Sequence, residues 1–106
     1  MLQIQHGDVL IQQIKSMPDG LKRIRSEHGL LIIARGETTG HHHAIAVKEK
    51  EAILYELKGE LYLEVAMPVK ITHEEHKPLD IPTGIYKIGR VQEHDYLLDM
   101  ERQVRD

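Results

Sequence analysis

Glu51-Ala52-Ile53-Leu54-Tyr55-Glu56-Leu57, then Lys58-Gly59, then Glu60-Leu61-Tyr62-Leu63-Glu64-Val65-Ala66 is the stretch that decides the fold. Two apolar-rich runs of strand length meet at a two-residue junction containing glycine, which is the signature of a tight β-hairpin. Downstream, Met67-Pro68 ends the ladder and Val69-Lys70-Ile71-Thr72-His73 opens another strand. Pro78, Pro82 and Gly84 then punctuate the path to a further strand over residues 85–91. Upstream, residues 41–47 alternate, with His41, His43, Ile45 and Val47 on one parity and His42, Ala44 and Ala46 on the other. Leu30-Leu31-Ile32-Ile33-Ala34 is a continuous apolar run bounded by Gly29 and Gly36, too short for a typical helix and suited to a buried strand. Val9-Leu10-Ile11 precedes the turn Met17-Pro18-Asp19-Gly20. Strand-length runs recurring about every ten residues between turn signals predict an all-β sandwich or barrel. Residues 95–106 are not cleanly periodic and predict a final strand running into a short helical or frayed tail.

The 106 residues, 41% of them hydrophobic, suit one domain over residues 1–106 with a modest core, and a homo-oligomer would help cover its strand edges. Phe and Trp are missing, so that core must be built from Ile, Leu and Val, residues that favour strands. A net charge of -3 with interspersed signs, and only four aromatics, all Tyr, disfavours nucleic-acid binding. No run approaches the roughly 20 apolar residues of a membrane span, and the start lacks the pattern of a signal peptide. A cytoplasmic location is therefore expected. With no cysteine, disulfides, zinc fingers and iron–sulfur clusters are excluded, and any metal must rest on nitrogen and oxygen ligands.

Five of the eight histidines fall in His41-His42-His43 and His73-Glu74-Glu75-His76. Imidazole is the commonest metal ligand, and two short segments brought together by folding can supply three or four nitrogens. Strand alternation aims His41 and His43 at one face and His42 at the other. His73 and His76, three apart and followed by Pro78, suit a strand end that turns a corner, either of them able to join the first pair. Glu74 and Glu75 are candidates for a general base, a carboxylate ligand or outer-shell acceptors that orient the imidazoles. The cluster is not the helical His-Glu-x-x-His protease motif, whose histidines are four apart. His6 and His28, each beside a glycine, read as turn positions. Arg90, Gln92 and His94 share a parity and form either a polar pocket wall or a charged edge.

Gly36, His41, His43 and Glu49 follow the order of the first motif of the cupin superfamily, and Pro82-Thr83-Gly84 supplies the turn of the second. Over about half its length the chain thus resembles cupins, which implies a small β-barrel holding a metal between histidines of two motifs. Lys87 stands where the second motif carries histidine, so the third histidine would come from His73 or His76. With iron bound, the resemblance implies dioxygenase or isomerase chemistry.

The ligand set expected is therefore His41, His43, His73 and His76, with Glu74 and Glu75 as catalytic carboxylates. The expected cofactor is a divalent ion, zinc first, with iron or nickel as alternatives. Three neutral imidazoles leave a position for water, whose pKa the ion lowers, which suits a metal-dependent lyase or hydrolase acting on a small molecule. Two other readings stand beside it: a non-catalytic module whose histidines bind metal structurally or bridge subunits, and a metal-free, pH-responsive histidine surface.

Overall fold

A computed structural model describes residues 2–35, 42–48, 50–74 and 76–90, with the side chains of residues 34 and 35 left aside. Within these residues the chain forms β1 (Gln3–His6), β2 (Val9–Gln13), β3 (Lys22–Ile24), β4 (Leu30–Arg35), β5 (His42–Ala46), β6 (Ala52–Leu57), β7 (Glu60–Val65), β8 (Val69–Thr72), β9 (Leu79–Ile81) and β10 (Gly84–Arg90). Six strands make one antiparallel sheet in the order β1-β2-β10-β7-β6-β3, and four make a second in the order β4-β5-β8-β9. The protein is all-β, and of the two expected architectures it is the sandwich. Among the described residues each sheet keeps two edge strands, and no barrel closes.

The hairpin that decides the fold forms as its turn chemistry requires. Leu57 pairs with Glu60 across Lys58 and Gly59, whose φ values of 51° and 81° are the double left-handed pattern of a type I′ turn. Inward-facing residues of both sheets interdigitate: Ile11, Leu54, Leu63 and Tyr86 from the larger sheet meet Leu31, Ile45, Ile71 and Ile81 from the smaller. Each aliphatic residue so buried contributes roughly 1.5–3 kcal/mol relative to exposure. Tyr86, the largest fully buried side chain, donates its hydroxyl to the Pro82 carbonyl at 2.6 Å, so its one polar atom is satisfied.

Three strands lie outside the runs recognised in the sequence. β3 and β9 have three residues each, and β1 forms the sheet edge against β2, pairing Ile4 with Ile11 and His6 with Val9. The Glu49 position and the tail beyond Arg90, including the expected final strand, helical end, Gln92 and His94, lie outside the described residues. Among the described residues, no helix is long and apolar enough to cross a membrane.

Candidate metal centre

The histidines meet at one end of the sandwich because of the register of the smaller sheet. β5 pairs with β8 so that Ile45 faces Ile71 and Ala44 faces Thr72. Continuing that register by one residue sets His43 opposite His73, on the inward side shared with the two isoleucines. The ring centroids are 4.4 Å apart. A bulge in β4 between Ile32 and Ala34 lies directly across from His43, the kind of irregularity that re-aims side chains at sheet ends. Beyond Thr72 the chain leaves the ladder and turns, carrying His76 back until its ring centroid is 4.7 Å from that of His73.

One ring nitrogen from each of His43, His73 and His76 lies within 4.8 Å of the others, with His43 buried, His73 half-buried and His76 exposed. Two nitrogens on a tetrahedral ion with ~2.0–2.1 Å bonds sit ~3.4 Å apart, so binding an ion would draw the rings closer together. The group can hold a metal ion, and both histidines of the second cluster belong to it.

A fourth histidine joins them, and it corrects the reading of His6 as an ordinary turn residue. His6 ends β1 and is 2% exposed. Its Nδ1 lies 2.9 Å from His43 Nδ1 and its Nε2 donates to the Lys77 carbonyl at 2.8 Å. The signal was present: Gln3-Ile4-Gln5-His6 alternates, with His6 on the apolar parity of Ile4, and Gly7-Asp8 is a two-residue hairpin turn. Gly7 has φ 63°, which favours glycine, and a Cβ there would sit 2.7 Å from His76 Nε2 and 3.0 Å from His43 Cε1. The turn backbone thus closes over the imidazoles. Asp8 follows, with Oδ1 3.4 Å from His43 Nε2 and Oδ2 3.2 Å from an Arg90 guanidinium nitrogen.

Burial governs the electrostatics. It pushes His43 down to about 4, helped by the neighbouring His73 and His6 and opposed by Asp8. Burial likewise lowers His6, against the opposing effect of the Lys77 carbonyl. Both rings are therefore neutral at pH 7, the form in which imidazole ligates metals.

Of the other expected site residues, Glu74 is exposed and its Oε2 accepts the His42 backbone N–H at 3.0 Å, tying the β8–β9 corner to the start of β5. His41 and Glu75 lie outside the described residues, as do Gly36 and Glu49 of the cupin-like motif. Lys87, at the place of that family's later histidine, pairs with Glu60 at 3.2 Å. His42, on the opposite face of β5 from His43, has a buried Nδ1 with no hydrogen-bond partner among the described residues. A depression of about 290 Å³ is lined by Leu30, Ile32 and Ala44 together with His42, His73 and Glu74, so His73 borders both it and the imidazole cluster. The larger depression of about 610 Å³ beside Arg23, Arg25 and Ser26 contains none of the histidines.

No curated protein and no solved structure matches the chain. A family model described as a domain of unknown function, DUF8820, spans residues 5–91, from the residue before His6 to the one after Arg90. It takes in all four clustered histidines and most of the chain, and the protein belongs to that family.

Proposed function

We propose that the protein binds a divalent transition metal, zinc first, through His43, His73 and His76, and uses it to activate water toward a small molecule by hydration or hydrolysis. The observation that carries this reading is the convergence of three imidazole nitrogens within 4.8 Å of one another, from two separate segments of chain. The exposure of His76 supports an open rather than a closed, structural site. A cation held there supplies Lewis acidity and lowers the pKa of a coordinated water.

The chain's own groups divide the remaining work. His43 and His6 are neutral and buried, and hold the inner wall of the site in one geometry. The depression beside His73 offers an apolar surface on which a small substrate can rest. Glu74 lies on that same surface and is the proton acceptor, its tether to the His42 amide holding it in place. The analogy to cupins, a β-domain gripping a cation between a His-x-His strand and a later histidine, is consistent with this arrangement, with His73 and His76 in the later place.

The test is elemental analysis of protein purified without an affinity tag, followed by titration of the stripped protein with zinc and cobalt. The expected result is one equivalent bound per chain, lost in His43→Ala and His73→Ala. Metal-loaded protein should cleave activated esters or hydrate small carbonyl compounds, with the rate lowered about 10²–10⁴-fold in Glu74→Gln, the usual range for a general base. Absence of stoichiometric binding for any first-row divalent ion would discard the proposal.

A further inference from the structure

Donor and acceptor logic around His6 specifies more of the site than the three histidines. A carbonyl oxygen can only accept, so at the 2.8 Å contact with Lys77 the proton is on His6 Nε2. In a neutral ring that leaves His6 Nδ1 a bare lone pair. The 2.9 Å contact between the two Nδ1 atoms then requires the proton to be on His43 Nδ1, donated to His6. His43 Nε2 is left bare in turn. The hydrogen-bond chain thus starts at a backbone carbonyl and ends at an unprotonated nitrogen, the one free to ligate, while the other ring nitrogen of His43 donates its proton as a ligating histidine's does.

That bare nitrogen has a second acceptor in front of it. Asp8 Oδ1 lies 3.4 Å away, and its carboxylate is held from behind by Arg90. A cation shared between these two atoms makes the contact attractive, and 3.4 Å is the spacing of two donors on one tetrahedral ion with ~2.0–2.1 Å bonds. We propose that Asp8 is a fourth protein ligand, so that the β1–β2 turn supplies both a carboxylate to the metal and, through His6, the tautomer of His43. This rests on the histidine site proposed above. Arg90 occupies the other carboxylate oxygen and makes Asp8 monodentate. The resulting three-nitrogen, one-oxygen set suits zinc, iron or nickel, and an ion that expands beyond four ligands keeps room for water at the exposed side.

The experiment compares the stripped wild type with Asp8→Asn, a change that keeps the size of the side chain at a turn position where Asn is at ease. Each is titrated with Co²⁺ at pH 7 and its visible absorption recorded, with circular dichroism to confirm the fold. Loss of an outer-shell partner typically costs about 10–100-fold in affinity, so loss of a ligand is expected to weaken binding by more than about 100-fold and to shift the d–d bands. Wild-type affinity with an unchanged spectrum in Asp8→Asn overturns this inference and leaves the three-histidine reading standing. No cobalt binding by the wild type overturns both. Long-range ¹H–¹⁵N correlation spectra of the metal-free protein provide a separate check. His6 should appear as the Nε2–H tautomer and His43 as Nδ1–H, whereas His43 carrying its proton on Nε2 sinks the argument.

Discussion

The Lys58-Gly59 turn and the Gly7-Asp8 turn each reverse the chain over two residues, yet their glycines live in different surroundings. At Gly59 a Cβ would meet nothing within 4 Å among the described residues, while at Gly7 it would strike His76 at 2.7 Å and His43 at 3.0 Å. The first turn needs glycine for its backbone angle alone, and projects into open space. The second needs it for the angle and for the absence of a side chain, because its backbone forms one wall of the imidazole cluster. Two junctions of similar composition therefore differ in what they close: one ends a ladder, the other covers a site.

Alanine substitution separates the two cases most strongly. In Gly7→Ala the left-handed backbone costs about 1–2 kcal/mol and the overpacking against the imidazoles about 1–3 kcal/mol more. Chemical unfolding should show the sum, and metal titration of the folded fraction should show binding lost. A variant that binds cobalt like the wild type would show that the turn does not form part of the site.

Acid should act on the same end of the molecule. His43 titrates near 6.5 when unfolded and at about 4 when folded, so between those values the unfolded chain binds the extra proton. Stability of the metal-free protein is full above pH 6.5 and falls as pH drops toward 4. The loss is about 3 kcal/mol at roughly 1.4 kcal/mol per unit. Urea midpoints measured across that range check it, and a flat profile would mean that His43 is not buried as described.

The open turn should respond more weakly. Gly59→Ala is expected to cost about 1–2 kcal/mol from its left-handed φ alone and to leave metal affinity unchanged. Smaller still is Lys58→Asn, which places a residue tolerant of left-handed geometry at φ 51° and should stabilise by about 0.5 kcal/mol. Thermal unfolding resolves both, and any change in cobalt affinity would contradict the separation of the two turns.

The β6–β7 hairpin and the buried β4 run were legible because their apolar content and turn residues are local signals. β3 and β9 were not, since three-residue strands are defined by their partners rather than by their own pattern. Parity and the corner before Pro78 pointed to a meeting of the first cluster with at least one of His73 and His76, without deciding which; the structure brings both beside His43. His6 escaped for a different reason. Its burial depends on the β8–β9 corner, which delivers the Lys77 carbonyl from seventy-one positions away, and no local spacing encodes that meeting. Asp8 was hidden in the same way, as a turn aspartate until Arg90 and His43 are seen beside it.

Pro78 gives the Lys77 contact a consequence of its own. A residue that precedes proline is confined to extended backbone, so the direction of the carbonyl that His6 addresses is preset by the following ring. The polarity of the imidazole pair is thus inherited from main chain, and the side chain at position 77 can drift without reversing it. Replacing the proline would be the change that lets the orientation wander.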